Sequence, residues 1–162
     1  GRDRRQRQMC IRDRKNTLNS ISPLDGRYAT KLRDLEQHFS EFALIKNRVL
    51  VEINWLIFMS RTKSLRFIPA LSKNKETSLL KIINEFSVKD AEQIKKIEAK
   101  TNHDVKAVEI FIGKKLESLN LKKYSEFVHL FCTSEDINNL SYNLMLKGYL
   151  YNEFKELNSL LL

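Results

Sequence analysis

Apolar residues recur every three or four positions along most of the chain, a spacing that places them on one face of an α-helix. The longest such segment begins at Ser40, a residue type suited to cap a helix, and runs to about Arg61. Trp55 and Phe58 widen its apolar surface, so we expect this helix to be buried on more than one side. Its regularly spaced apolar positions are Phe42, Ile45, Val49, Ile53 and Leu56. The charged positions expected to form a strip facing solvent are Glu41, Lys46, Arg48 and Glu52.

Shorter segments with the same periodicity predict the remaining helices. Four Gly and two Pro in 162 residues are few for a chain of many strands and tight turns, so the sequence favours an all-α fold. The segment 16–28, which contains Pro23 and an Asp-Gly turn signal, should be an irregular entry to the first helix, and the segment 62–74, which contains Pro69, should connect two helices. The predicted helices cover about 29–38, 76–86, 88–100, 104–118 and 122–131. The apolar face of the helix at 104–118 should consist of Val105, Val108, Ile112 and Leu116.

A last helix should begin in the CTSED segment and continue to the end of the sequence. Its apolar stripe advances in steps of three and four, and such a stripe needs a partner helix, as in a long bundle. The stripe consists of Ile137, Leu140, Leu144, Tyr151, Phe154 and Leu161. Because the pattern is still running at Leu162, we expect a fragment of a longer protein. We therefore predict a small helical N-terminal domain over 16–132, which leads into the first long helix of a truncated central bundle domain at 133–162.

The positive charge is concentrated at the start of the chain. Residues 1–15 carry six Arg and one Lys against two Asp, which is +5 of the formal net charge of +9, leaving +4 over the other 147 residues. This leader has no apolar segment of the kind found in secretory signals. We interpret it as a non-native or disordered basic leader, and we expect no nucleic-acid partner. The alternative is a disordered basic arm that binds a polyanion.

Cysteine and histidine spacing gives no indication of a metal site. Cys10 and Cys132 form neither a disulfide framework nor a CxxC motif, and the three His have no partner at ligand spacing. The most apolar stretch, residues 49–59, is interrupted by Glu52 and is too short to span a membrane. We therefore expect a reducing compartment, no metal, no membrane and a cytoplasmic location.

Two short motifs mark the starts of helices and could also bind a ligand. Thr101 and Asp104 are spaced as T-x-x-D, and so are Thr133 and Asp136. This spacing is close to a capping box, in which the hydroxyl and the carboxylate only start the helix. The free N–H groups of a helix N-terminus can also bind phosphate or carboxylate, and adjacent polar side chains would assist. Spacing alone leaves both interpretations open.

Further candidate residues lie outside these two motifs. Arg27 and Tyr28 follow a glycine and offer a fork-shaped cation and a phenol suited to an oxyanion. If they converge with the two helix starts, the three places would form a phosphate-binding cradle. His129, on an apolar segment just before CTSED, is interpreted as a structural core histidine.

Three motifs, taken together, resemble one known family. They are SPLDGRY at 22–28, TNHDVKAVE at 101–109 and SEFVHLFCTSEDINNLSYNLMLK at 125–147. In this order they resemble the N-terminal part of the adenylosuccinate lyase family, in its bacterial form, within the fumarase/aspartase superfamily. The resemblance extends from about Ser20 to the end of the chain. Argininosuccinate lyase, fumarase and aspartase share the helical plan and a TSxD-like segment, but the first two motifs favour the purine enzymes.

The resemblance implies a homotetramer with a long central helical bundle, active sites built from several subunits, and no metal or organic cofactor. The implied reaction is a β-elimination that releases fumarate from adenylosuccinate, giving AMP, and from SAICAR, giving AICAR. Carried over by motif, Arg27 and Tyr28 would hold the phosphate region of this purine nucleotide substrate. The other substrate-binding residues that the resemblance implies are Asn102, His103, Asp104, Thr133 and Ser134.

The same resemblance implies that the principal acid and base are missing from this chain. In the family, a serine base lies on a mobile loop in the later half, and the main acid histidine lies in a THGQPA-like segment. Neither segment occurs here, so we expect the chain alone to be inactive. His103 is a candidate for an accessory role at the leaving group. Two alternatives remain: another fumarate-releasing lyase of the superfamily, and a non-enzymatic helical binding module with a basic arm.

Overall fold

The structure, a computed structural model, describes residues 20–152, 154 and 159. Within these residues every regular element is helical, which confirms the predicted all-α fold. The basic leader 1–15 and Leu161 lie outside the described residues. The elements are α1 (Arg33–Phe39), α2 (Glu41–Arg61), α3 (Lys73–Asn84), α4 (Val88–Thr101), α5 (Asp104–Ser118), a 3-10 helix (Lys122–Phe127) and α6 (Ser134–Asn152).

The chain divides into two compact units, Gly1–Gln37 and His38–Leu162. In the first unit, residues 21–31 form turns, in which the Tyr28 N–H donates to the Pro23 carbonyl at 2.9 Å. The helix expected from about residue 29 therefore begins only at Arg33. The second unit contains residues on both sides of Thr133, and the expected domain boundary there stays a prediction.

Helix α2 contributes more buried residues than any other helix in the described part of the second unit. Ser40 caps it as predicted, because its hydroxyl accepts a hydrogen bond from the Ala43 N–H at 3.1 Å. The helix contacts α3, α4, α5 and α6, so it is buried on several sides. Each fully buried apolar side chain on it contributes about 1.5–3 kcal/mol of burial free energy. These side chains are Val49, Ile53, Leu56 and Met59.

The polar strip expected on α2 is wrong at two positions. Arg48 is only 6% exposed and Glu52 only 1%. Both are buried because they meet polar partners on other elements: Arg48 meets Asp104, and Glu52 meets His129. A buried charge requires such a partner, since removal from water is costly. On α5 the predicted apolar face is confirmed, with Val105, Val108, Ile112 and Leu116 all fully buried.

Helix α6 packs one side against α2 and leaves much of its apolar stripe exposed. Ile137 is fully buried, whereas Leu140, Tyr151 and Phe154 are 53%, 72% and 46% exposed. The stripe predicted from the sequence is thus largely uncovered in the single chain. None of the helices in the described part of the chain is long and apolar enough to cross a membrane.

Candidate functional site

The turn between α4 and α5 is built by Asn102 and His103. Asn102 ends α4 in the left-handed conformation (φ 51°), which asparagine tolerates better than most residues, and its N–H donates to the Glu98 carbonyl at 2.7 Å. His103 is the N-cap of α5, and its Nδ1 accepts a hydrogen bond from the Lys106 N–H at 3.1 Å. In the neutral ring the proton is then on Nε2, which can donate.

The capping box expected at Thr101 and Asp104 is wrong. Thr101 is the last residue of α4, and its hydroxyl donates backwards to the Ile97 carbonyl at 3.2 Å. The tight reversal at Asn102 gives the capping position to His103 instead. Two of the four polar residues in TNHD, Thr101 and Asn102, therefore end the preceding helix rather than start the next one.

Asp104 is held in a fixed orientation at the start of α5. Its Oδ2 accepts from the Arg48 guanidinium at 2.6 Å, and its Oδ1 accepts from the Val105 N–H at 2.8 Å. Burial alone would raise the pKa of Asp104, but the Val105 hydrogen bond and the charge of Arg48 outweigh it and lower the pKa. The carboxylate is therefore ionised at neutral pH and acts as a hydrogen-bond acceptor.

The start of α6 is the capping box that the sequence predicts. The Thr133 N–H and hydroxyl both donate to Asp136 Oδ2, at 2.7 and 2.8 Å, and the Asp136 N–H approaches the Thr133 hydroxyl at 3.4 Å. These hydrogen bonds from Thr133 lower the pKa of Asp136. The Thr133 hydroxyl is thus engaged in capping, whereas the next residue, Ser134, faces the neighbouring cleft.

The two helix starts line one cleft of about 550 Å³. The structure therefore brings four of the predicted site residues together, namely Asn102, His103, Asp104 and Ser134. The other lining residues are Lys95, Glu98, Ala99, Glu135 and Asn138. Carboxylates outnumber cations along this wall, and Lys95 is already paired with Glu98 and with Glu41. The wall is suited to N–H and O–H groups of a ligand more than to a phosphate.

Arg27 and Tyr28 lie in the first unit, in its turn-rich segment. Both side chains are exposed, and the Arg27 guanidinium lies over the Tyr28 ring, 5.5 Å from the ring centroid. This cation–π contact leaves the guanidinium N–H groups in solvent. Their role in holding a phosphate stays a prediction.

A second buried polar contact was missed by sequence reasoning. Glu52 Oε1 lies 2.6 Å from His129 Nδ1, and Glu52 Oε2 accepts from the His129 N–H at 3.1 Å. Burial raises the pKa of Glu52, and the hydrogen bond with His129 opposes this effect only in part. The structural role expected for His129 fits this contact. A single glutamate inside the apolar run 49–59 is the signal that could have pointed to a buried partner.

Neither thiol chemistry nor metal binding is indicated in the part of the chain that the structure describes. Cys132 is a free, half-buried thiol, and burial raises its pKa, which makes it a poor nucleophile. In the described part of the chain, no three His, Cys, Asp or Glu side chains are grouped so that they could hold a metal ion.

Comparison with known protein families finds that residues 26–161 match a family described as Lyase. Since this match covers most of the sequence, the chain belongs to that lyase family.

Comparison with individual proteins is more specific than the family match. The chain is 49% identical to the adenylosuccinate lyase of Haemophilus influenzae over 132 residues, which are 81% of this chain and 29% of that protein. It is 47% identical to the adenylosuccinate lyase of Legionella pneumophila over 80% of this chain, and 47% identical to that of Escherichia coli over 82%. In both cases the match again covers 29% of the relative. The chain thus spans less than a third of the length of the curated relatives it matches.

Proposed function

We propose that this chain supplies one wall of the active site of an adenylosuccinate lyase. The reaction is the β-elimination of fumarate from adenylosuccinate to give AMP, and from SAICAR to give AICAR. The observation that carries the proposal is the cleft in which Asn102, His103 and Asp104 meet Ser134. The high identity to three adenylosuccinate lyases supports the choice of substrate.

Each residue of this wall has a role that its contacts support. Asp104, ionised and fixed, accepts hydrogen bonds from N–H or O–H groups of the substrate. His103 presents Nε2–H to the cleft, because Nδ1 is used by the helix cap, so it donates to the substrate or to the leaving group. Asn102 and Ser134 add an amide and a hydroxyl, and Thr133 holds Ser134 in place through the cap. Arg27 and Tyr28 hold the phosphate region of the substrate, because the acidic cleft does not favour binding of a phosphate.

The proton transfer itself needs groups beyond this wall. Elimination removes a proton from a carbon next to a carboxylate, which requires a base and stabilisation of a carbanion-like state. We assign the base to a serine and the principal acid to a histidine, both outside this chain. The working enzyme is a cytoplasmic homotetramer that uses no metal or organic cofactor, in which α6 joins a central helical bundle.

The proposal is tested with a chimera in which residues 26–161 of this chain replace the matching segment of the Escherichia coli relative. We expect the chimera to release fumarate from adenylosuccinate and His103→Ala to lower its kcat/KM by about tenfold or more. The purified 162-residue chain should release none. A folded, tetrameric chimera with no activity would contradict the proposal, and so would activity that is unchanged in His103→Ala.

A further inference from the structure

Arg48 is a buried cation that touches both helix starts of the cleft. It lies in the middle of α2, and its side chain is 7% exposed. Its Nη2 donates to Asp104 Oδ2 at the start of α5 at 2.6 Å. Its Nε donates to Asn138 Oδ1 in the first turns of α6 at 2.9 Å. One side chain therefore links three helices.

The chemistry of the guanidinium makes this link rigid. Its donors lie in one plane at fixed angles, so two partners bonded to different nitrogens are held at a fixed separation. Because Asn138 uses its oxygen for Arg48, its amide nitrogen faces the other way, where it donates to Glu135 Oε1 at 3.2 Å. The resulting chain of contacts, Asp104–Arg48–Asn138–Glu135, runs from one wall of the cleft to the other.

Arg48 itself is absent from the cleft lining, whereas Asp104, Asn138 and Glu135 all contribute to it. We propose that Arg48 is a positioning residue, which sets the separation and orientation of the α5 and α6 starts so that both walls fit one substrate. Its catalytic relevance rests on the proposed function, whereas its mechanical role does not. A lysine at this position would be a point charge with a single nitrogen, and its rotatable donors would not hold the two partners at a fixed separation.

The mechanical role is tested first, by amide hydrogen exchange measured by NMR on the 162-residue chain. Asn138→Ala removes the contact on α6 only, and Asn139→Ala is the matched control, since Asn139 is exposed on the same turn. We expect Asn138→Ala to accelerate exchange at the Lys106 amide, across the cleft, by about threefold or more through loosening of Arg48. Arg48→Lys should accelerate exchange at both Lys106 and Ile137. Equal exchange at Lys106 in the Asn138→Ala and Asn139→Ala variants would overturn the proposal.

The catalytic consequence is tested in the chimera described above. Arg48→Lys should raise the KM for adenylosuccinate by about tenfold while kcat changes by about twofold or less, since a displaced wall weakens binding more than chemistry. Asn139→Ala should leave both constants unchanged. An Arg48→Lys chimera with unaltered KM would overturn the positioning role. If the parent chimera were inactive, the proposed function would fail, and the exchange experiment would still decide whether Arg48 couples the two helix starts.

Discussion

Replacing Glu52 with leucine should destabilise the protein by about 2 kcal/mol at pH 7. Glu52 accepts two hydrogen bonds from His129, one from the ring and one from the backbone N–H, and leucine can accept neither. Each hydrogen bond to a charged group is worth about 1.5–3 kcal/mol. The net loss in unfolding free energy is smaller than the sum of these two hydrogen bonds for two reasons. Burial of the Glu52 carboxylate is itself costly, as its raised pKa indicates. In addition, the His129 side chain is 17% exposed and can partly turn to water.

The loop that would lose this support is strained. His129 and Phe131 both have positive φ angles, 62° and 65°, which cost residues with a Cβ about 1–2 kcal/mol each. Two α2 side chains hold the loop in this shape: Glu52 binds His129, and Trp55 Nε1 donates to the Leu130 carbonyl at 2.8 Å. Loss of Glu52 should therefore loosen the segment that leads into the start of α6.

Urea unfolding followed by the fluorescence of Trp55, the single tryptophan, measures this loss beside the loop. Glu52→Gln should stay within about 1 kcal/mol of the parent, since its amide can pair with both His129 groups if the ring changes tautomer. Glu92→Leu, at an exposed glutamate on α4, is the control and should cost less than about 0.5 kcal/mol. If Glu52→Leu cost no more than this control, the reasoning would be refuted.

The pH dependence gives an independent check on Glu52. Its pKa in the folded protein is raised above the ordinary value of 4.5. Between these two pKa values the unfolded chain is ionised and the folded protein holds the proton, so stability falls as pH rises through the window. The unfolding free energy of the parent, minus that of Glu52→Gln, should therefore decrease from pH 4.5 upwards and then level off. A difference that increases with pH would contradict the burial effect.

Three further changes test the helix starts and the loop. Thr133→Ala should lower the unfolding free energy measured in urea by about 1 kcal/mol, because it removes the hydroxyl that caps α6. Thr133→Ser keeps a hydroxyl and should cost little. Equal losses in the two variants would argue against the cap. Asn102→Gly should leave the unfolding free energy of the 162-residue chain unchanged, since glycine readily adopts φ 51°. The same substitution should raise the KM of the chimera. An unchanged KM would mean that Asn102 forms the turn and does not bind substrate. Trp55→Phe should cost about 1 kcal/mol by circular dichroism, through the lost bond to Leu130, and no loss would show that water replaces it.

Helical periodicity and capping chemistry predicted most of the fold because both are local. Ser40 and Thr133 cap their helices within three residues of themselves, and the apolar face of α5 repeats within one element. Arg48 and Glu52 were misjudged because a charged residue at helical spacing usually faces solvent. Their partners lie 56 to 90 residues away along the chain, beyond the reach of local patterns.

Four of the seven predicted substrate-binding residues line the candidate cleft, and the geometry of the cleft was not predicted. The motifs singled out Asn102, His103, Asp104 and Ser134, and the structure places these four around one cleft. The assignment of the α5 cap was wrong because the spacing of Thr101 and Asp104 fits a capping box, whereas the turn at Asn102 moves the cap to His103. The acidic balance of the cleft also depends on Glu98, which lies outside every motif, and on Glu135, which the third motif contains but which was not predicted as a site residue.

The most direct test of the central claim is the ratio of fumarate release from adenylosuccinate to that from argininosuccinate by the chimera carrying residues 26–161 of this chain. A wall built for the purine substrate predicts that fumarate and AMP form in equal amounts from adenylosuccinate, with no detectable release from argininosuccinate. Release from argininosuccinate at a comparable rate would contradict the claim and would indicate another fumarate-yielding lyase of the same superfamily.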